Sequence, residues 1–153
     1  VEQSLRMLEG HFEQAGVQWS MELADLPPMM VNPGDIQHVL TNIAINAVDA
    51  LKLRPEDRRF VVRGQAVEGR IRLELRNNGP AIESDLLDKL FEPFFTTKEV
   101  GQGTGLGLSI AYQLVQTNDG TLTAANEAEW VTFTLTLPGC ATPSPDQSEI
   151  GTP

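Results

Sequence analysis

The residues best suited to chemistry in this chain of 153 residues form a polar stripe within a stretch that predicts a helix. His38, Asn42, Asn46 and Asp49 follow one another at steps of four, four and three residues, which places them on one side of an α-helix. Asparagine is unfavourable inside helices because its side chain competes for backbone hydrogen bonds. Two asparagines in register therefore suggest neutral amide ligands for a hard cation such as Mg²⁺, with phosphate and water completing the shell. An ordinary solvated helix face is the alternative.

A second candidate is the run GQGTGLG, in which glycine occupies alternate positions immediately before another predicted helix. Glycines at this density allow backbone N–H groups to turn toward an anion, and a helix N-terminus adds partial positive charge. The run has no Gly-Lys-Ser/Thr and does not open a βαβ unit, so it is neither a Walker loop nor a dinucleotide fingerprint. It predicts a phosphate-binding loop, with a merely flexible loop as the alternative.

Two weaker signals lie between these segments. Lys98 follows the aromatic run FEPFF at the entrance of the glycine run, where a cation could meet a phosphate chain, although a solvated lysine is equally ordinary. The segment NNGPAI ends a predicted strand and reads as a turn, with Gly79 allowing an unusual backbone angle.

The elements that position these residues follow from periodicity and turn chemistry. Asn32-Pro33 predicts the start of the helix that carries the polar stripe, and Glu68-Gly69 predicts a hairpin turn. The predicted helices are 2–15, 35–51, 83–90 and 106–117, and the predicted strands are 17–23, 60–66, 70–76, 121–125 and 130–137, with a long loop over 91–105. This order predicts an α+β fold, a two-layer α/β sandwich of one mixed sheet with helices on one face. Residues 1–138 would form the domain, and 139–153, rich in Thr, Pro, Ser and Gly, a disordered tail.

Composition restricts the function further. The chain has 11 Lys and Arg against 21 Asp and Glu, a net charge of −10, which argues against nucleic acid or an anionic membrane as its partner. No apolar stretch approaches the ~20 residues that span a bilayer, and no signal peptide is visible. Cys140 is the only cysteine, so internal disulfides are excluded and the cytoplasm is the expected location, with a parent protein that could be membrane-anchored.

Four segments in order resemble a known family: HVLTNIAINAVDAL, NNGPAI, FEPFFTTK and GQGTGLGLSI. They look like the N, G1, F and G2 boxes of two-component sensor histidine kinases, within the GHKL ATPase group that includes type II topoisomerases, mismatch-repair ATPases and heat-shock chaperones. The resemblance covers about residues 1–138, and FEPFFTTK before GTGLGLSI is similar to the nitrogen-regulation-like branch. It implies the GHKL (Bergerat) fold, the catalytic and ATP-binding (HATPase) domain, and ATP and Mg²⁺ as cofactors.

The resemblance also implies roles for individual residues. Asn46 matches the asparagine that ligates Mg²⁺, Asn42 matches the one that borders the phosphates, and Lys98 is similar to a phosphate-facing lysine. Gly79 matches the first G1 glycine, beside the adenine, and Thr132 sits where the family has a threonine near the adenine. The implied nucleotide-binding residues are Asn77, Gly79, Ala81, Ile82, Phe95, Thr97, Gly101, Gly103, Thr104, Gly105, Leu106, Gly107, Leu108 and Thr132, with catalytic roles for Asn42, Asn46 and Lys98.

Two positions depart from the family pattern. The family usually has aspartate at the position of Asn77, where the carboxylate accepts a hydrogen bond from the adenine amino group. An asparagine still accepts through its amide oxygen, so we expect weaker adenine recognition. Ala81 replaces the second G1 glycine, and its methyl group is expected to crowd the base.

The implied activity is transfer of the ATP γ-phosphate to a histidine on a separate dimerisation domain, with a response regulator as the further partner. Asn42 stands where hydrolytic relatives have a glutamate base, so rapid hydrolysis of the chaperone or topoisomerase type is not expected. Neither His11 nor His38 matches a phosphoacceptor motif. The alternative is a degenerate nucleotide-binding fold that acts as a docking or regulatory module without catalysis.

Overall fold

A computed structural model describes residues 1–95 and 106–140. Five strands form one sheet in the order β1-β2-β3-β5-β4, in which β1 and β2 are parallel and all other neighbours are antiparallel. The elements are α1 Glu2–Arg6, α2 Glu9–Gln14, β1 Val17–Leu23, α3 Pro33–Leu51, β2 Arg58–Val67, β3 Arg70–Asn77, α4 Ser84–Leu87, α5 Gly107–Thr117, β4 Thr121–Glu127 and β5 Trp130–Pro138.

Alternation along the strands divides the sheet into two faces. Inward positions are apolar and buried, for example Phe60 on β2, Leu75 on β3 and Phe133 on β5, and they form one core cluster with the apolar side of α3. The outward positions include Arg63 and Arg72, which are exposed. Because the apolar residues of every strand lie on the same side, the helices pack on one face, and the predicted two-layer fold is confirmed.

The helix that carries the polar stripe begins as predicted. The Asn32 side chain accepts hydrogen bonds from the N–H groups of Gly34 and Asp35, at 2.9 and 3.3 Å, and Pro33 occupies the first helical position. Asn118, at the end of α5, donates through Nδ2 to the Asp35 carboxylate and accepts the Asn32 N–H through Oδ1. The start of α3 is thereby joined to the end of α5, so these helices run antiparallel and the middle of α3 lies beside the start of α5.

The hairpins also follow their turn chemistry. Glu68 and Gly69 both have positive φ, 51° and 76°, as a tight two-residue turn between twisted strands requires. The predicted hairpin of β2 and β3 is confirmed.

Two predicted helices are shorter than expected. The first helix divides at Met7 and Leu8, where the Leu8 N–H donates to the Leu5 carbonyl three residues back; this tighter turn allows Leu5, Leu8 and Phe12 all to be buried. The helix predicted over 83–90 covers only Ser84–Leu87, which buries no residue and has no side-chain cap. A helix without a buried face lacks the packing that stabilises short helices in proteins.

The last described residues continue past the sheet. The Gly139 N–H donates to the Gly69 carbonyl, and the Cys140 N–H to the Pro28 carbonyl. The predicted tail from 141 onward and part of the predicted loop, 96–105, lie outside the described residues. Within the described part of the chain, no helix has the length and apolarity needed to cross a membrane.

Candidate functional site

Along α3, the polar stripe runs between the start of α5, which Asn42 contacts, and the turn at residues 77–82, which lies against Ala50; we call the surface between them the cleft. Asn42 and Asn46 are half-buried, whereas His38 is fully solvated. The amide of Asn46 makes no hydrogen bond within residues 1–95 and 106–140, and Asp49, further along the helix, lies 3.6 Å from the Lys52 ammonium group. Asn46 therefore offers an amide oxygen that no described group occupies.

The start of α5 lies at one end of the cleft. We call this end the helix end and define it as Asn42, Asn46 and residues 106–108. Asn42 Nδ2 donates to the Gly107 carbonyl at 3.0 Å, so the two helices are joined at this point. The first N–H groups of an α-helix have no intrahelical acceptor and carry partial positive charge. The helix end thus combines amide oxygens with helix N–H groups, a combination suited to an anion with a bound cation.

The opposite end, which we call the turn end, is residues 77–82. Asn77 is 2% exposed, and its Oδ1 accepts the Gly79 N–H at 3.0 Å. A Cβ on Gly79 would lie 2.9 Å from that oxygen and 3.4 Å from the Ala50 backbone, so a larger residue here requires the Asn77 side chain or the turn to shift. This contact sets the turn directly against α3.

Asn78, which is fully buried, holds the turn end to the preceding loop. Its Oδ1 accepts the Arg59 N–H at 2.7 Å, and its Nδ2 donates to the Asp57 carbonyl at 2.7 Å. Arg54 donates to the Asn78 carbonyl at 2.9 Å. The sequence analysis assigned no role to Asn78. The second asparagine of NNGPAI was the feature that could have indicated one.

The far side of the turn end is held by β4. Asn126 accepts the Ile82 N–H at 3.0 Å and donates to the Ile82 carbonyl at 2.6 Å. Ile82 is half-buried, while Ala81 is exposed. Both polar backbone groups of Ile82 are therefore paired, and the backbone of the turn is held from two strands.

The aromatic run packs only in part. Phe91 stacks on Tyr112 of α5 at 5.2 Å and meets Phe133 of β5 edge-on at 6.4 Å. Phe95 is half-buried, whereas Phe94 has a positive φ of 63° and is 76% exposed. The run thus joins α5 to the sheet through Phe91 and leaves Phe94 in solvent.

The structure does not bring Thr132 to the cleft. Thr132 pairs with Arg76 across the sheet, and its hydroxyl donates to the Glu127 carboxylate at 3.1 Å on the outer face. Side chains alternate along a strand, so Val131, which pairs with Asn77, is the β5 residue that faces the turn end. The alternation in WVTFTLTL was the signal that pointed to Val131.

The remaining predicted contacts cannot be placed: Thr97, Lys98, Gly101, Gly103, Thr104 and Gly105 lie outside the described residues. Leu106, Gly107 and Leu108 are described, and among the described residues the atom nearest to a Cβ on Gly107 belongs to Asn42, at 3.9 Å. Space alone does not require a glycine at this position.

The two ends are separated by a distance that suits an extended ligand. Asn42 contacts the start of α5, and Ala50, eight residues later, contacts the turn end. At 1.5 Å per residue, Ala50 lies about 12 Å along α3 from Asn42, and Asn46 about 6 Å from Asn42. Within residues 1–95 and 106–140, no group of three or more His, Cys, Asp or Glu could hold a metal ion alone. A hard cation at Asn46 would therefore share its ligands with phosphate and water.

Comparison with known proteins identifies the family. Residues 31–140 match the model described as histidine kinase-, DNA gyrase B-, and HSP90-like ATPase. The chain is 44% identical over 107 residues to the two-component sensor PprA of Pseudomonas aeruginosa, covering 67% of this chain and 12% of PprA. It is 34% identical over 140 residues to the signal transduction histidine-protein kinase AtoS of Escherichia coli K12, covering 90% of this chain and 22% of AtoS. It thus spans about an eighth of PprA and about a fifth of AtoS.

A solved structure shows the same architecture. The catalytic domain of the histidine kinase ThkA, in a nucleotide-free form, superposes with a TM-score of 0.77 at 26% identity, covering 90% of this chain and 89% of that domain. The resemblance to sensor histidine kinases is confirmed, while the nitrogen-regulation-like branch stays a prediction. The chain belongs to the histidine kinase-, DNA gyrase B- and HSP90-like ATPase family.

Proposed function

We propose that this chain is the ATP-binding catalytic domain of a sensor histidine kinase, which transfers the ATP γ-phosphoryl group to a histidine on a separate dimerisation domain. The observation that carries the proposal is the cleft itself. The Asn46 amide, which makes no hydrogen bond within residues 1–95 and 106–140, and the N-terminus of α5 lie at one end, a closely held turn lies at the other, and α3 spans about 12 Å between them. The family match over residues 31–140 and the sensor kinases among the relatives support the same assignment.

The base would lie at the turn end and the phosphates at the helix end. Asn77, Gly79, Ile82 and Val131 would enclose the base, and the exposed Ala81 would border it. Asn42 and the first N–H groups of α5 would orient the phosphates, together with Lys98 and the glycine run, 101–105, which lie outside the described residues. The polarity of the two ends favours this direction, because helix N-termini attract anions.

Asn46 fits a Mg²⁺ ligand by the chemistry of its donor. Its neutral amide oxygen is half-buried and unpaired among the described residues, and Mg²⁺ prefers a few protein oxygens plus phosphate and water. When bound, the ion would supply charge neutralisation on the phosphates. The contribution of this chain is to hold the donor amide in register with the phosphate end of the cleft.

The chemistry proposed is transfer rather than hydrolysis. The bond between the γ-phosphorus and its bridging oxygen breaks, ADP leaves, and a new bond forms to an imidazole nitrogen of the acceptor histidine. Asn42 cannot take a proton from water near neutral pH because an amide has no basic electron pair. Positioning and electrostatic stabilisation, which dominate phosphoryl transfer, are what the described residues can supply.

The partners proposed are the dimerisation domain that carries the acceptor histidine and a response regulator that takes the phosphoryl group onward. We propose a cytoplasmic location, where ATP is available. The net charge of −10 disfavours contact with nucleic acid or an anionic membrane.

The test is calorimetric titration of the chain with ATP and MgCl₂, comparing the native chain with Asn46→Ala. We expect saturable binding that weakens at least about tenfold in Asn46→Ala, since a lost cation ligand is worth more than one neutral hydrogen bond. His38→Ala, two turns earlier on α3 and solvated, is the matched control and should bind as the native chain does. A folded chain that binds no ATP at about 5 mM, the weakest range that calorimetry resolves, contradicts the proposal and favours a docking module.

Transfer is tested on the parent protein. Incubation with ATP labelled at the γ-phosphate should produce an acid-labile, base-stable phosphoprotein, the behaviour of a phosphorus–nitrogen bond. Free phosphate released without protein labelling would instead indicate a hydrolase.

A further inference from the structure

The side chain of Asn77 presents a hydrogen-bond donor where the proposed base would lie. Its Oδ1 accepts the Gly79 N–H at 3.0 Å, and because an N–H group must face an acceptor, this contact settles which amide atom is oxygen. The Nδ2 amino group points the other way. Within residues 1–95 and 106–140, it has no hydrogen-bond acceptor.

The Nδ2 of Asn77 keeps a small exposure at the turn end. Asn77 is 2% exposed. Among the described residues, two side-chain polar atoms are sealed from solvent and have no hydrogen-bond partner, Arg59 Nε and Arg76 Nε. The Nδ2 of Asn77 is not one of them, so what little exposure the residue keeps includes this atom. A nearly buried donor without an acceptor is costly unless a ligand supplies one.

The chemistry of the ligand edge follows from that donor. Adenine carries an amino group at C6, whose N–H bonds require an acceptor, whereas hypoxanthine and guanine carry a carbonyl oxygen at C6, which requires a donor. A carboxylate at position 77 would offer acceptors alone and reject the carbonyl. The amide of Asn77 offers Nδ2 to a carbonyl and keeps a second lone pair on Oδ1 for an N–H group.

We infer that the site binds 6-oxopurine nucleoside triphosphates, those of inosine and guanosine, in addition to ATP, and that Asn77 sets this broad base selectivity. The inference rests on the proposed function, since it takes the turn end as the base site. It concerns which base is accepted, and the helix end is unaffected by it.

The first experiment is calorimetric titration of the 153-residue chain with ATP, inosine triphosphate and guanosine triphosphate, each with MgCl₂. The triphosphate of purine riboside, which carries only hydrogen at C6, is the reference for a base without that contact. We expect inosine triphosphate to bind within about tenfold of ATP, and at least as tightly as the purine riboside compound. Guanosine triphosphate adds a test of the space beside C2, and it should also bind within about tenfold of ATP.

The second experiment replaces the donor with an acceptor. Asn77→Asp keeps the shape and the hydrogen bond from the Gly79 N–H, so we expect the preference for ATP over inosine triphosphate to increase by about tenfold to a hundredfold. Titration near pH 8, well above an ordinary aspartate pKa, keeps the new carboxyl ionised. Gln65→Glu adds the same charge at an exposed position of β2, five residues along the strand from Phe60, which pairs with Asn77, and should leave the preference unchanged.

The outcomes separate the two proposals. If ATP binds while inosine and guanosine triphosphates bind more than about a hundredfold more weakly, the inference is overturned and the proposed function stands. An unchanged preference in a folded Asn77→Asp chain also overturns it, because a purely structural asparagine would behave that way. If the folded native chain binds none of the four triphosphates, both proposals fail together.

Discussion

The turn end and the helix end of the cleft differ in how their polar groups are paired. At the turn end, Asn78 and Asn126 use both amide atoms on backbone partners, and Asn77 Oδ1 accepts the Gly79 N–H. At the helix end, the described residues form one such bond, from Asn42 to Gly107, and the Asn46 amide stays unpaired. The turn end is thus built before a ligand arrives, whereas at the helix end the Asn46 amide, unpaired among the described residues, keeps its hydrogen-bonding capacity for a ligand.

This difference matches what each end is proposed to bind. A base is a rigid plane recognised by shape and a few edge contacts, so a preformed turn loses little entropy on binding. A triphosphate with its cation is strongly charged and supplies hydrogen-bond partners of its own. Four substitutions test the contrast, in order of expected effect.

Asn78→Ala should destabilise the chain most. The substitution leaves the Arg59 N–H without its acceptor and the Asp57 carbonyl without its donor inside the fold. We therefore expect the free energy of unfolding to fall by about 2–4 kcal/mol. Urea denaturation followed by circular dichroism measures it. Asn126→Ala, whose side chain is exposed, is the control, expected to cost about 1 kcal/mol. Equal losses in both variants would contradict the preformed turn.

Gly79→Ala should have the next largest effect. The new Cβ would lie 2.9 Å from Asn77 Oδ1 and 3.4 Å from Ala50, so the Asn77 side chain or the turn backbone has to shift. We expect a loss of about 1–3 kcal/mol in stability, together with weaker nucleotide binding. Thermal unfolding and calorimetry on the same sample measure both. Native-like stability would show that the turn is not held closely.

Asn42→Ala should change stability little. Losing a partly exposed hydrogen bond to Gly107 costs about 1 kcal/mol, and alanine regains about 0.5 kcal/mol as the better helix former. The net change in the free energy of unfolding is then within about 1 kcal/mol, while affinity for ATP falls several-fold. A large loss of stability with unchanged ATP affinity would assign Asn42 to helix packing alone.

Gly107→Ala should have the smallest effect on stability. Among the described residues, the nearest atom to a Cβ there belongs to Asn42, at 3.9 Å, so we expect a change within about 0.5 kcal/mol. Compared with Gly79→Ala, it is the sharpest test of the contrast, since the chemical change is identical. A loss as large as that of Gly79→Ala would mean that the helix end is as closely built as the turn end.

Much of the scaffold could be predicted from local sequence. Asn32-Pro33 starts α3, Glu68-Gly69 turns the hairpin, and strict alternation marks β5, because caps, turns and period-two patterns act over a few residues. The break of the first helix at Met7 and Leu8 was missed, since it depends on which residues the core accepts. The resemblance placed Thr132 near the adenine from its position along the chain alone. That position does not say on which face of the sheet the side chain lies, and Thr132 lies on the outer face.

The sequence by itself determined the fold class, the two asparagines on one side of α3 and the order of segments that identifies the family. Only the tertiary structure decided that Val131 rather than Thr132 faces Asn77, that Asn78 holds the turn end to the loop before β2, and that the Gly79 N–H donates to Asn77 Oδ1. The physical reason is that hydrogen-bond partners at long sequence separation depend on how the strands and helices pack, which residue types and local spacing do not encode.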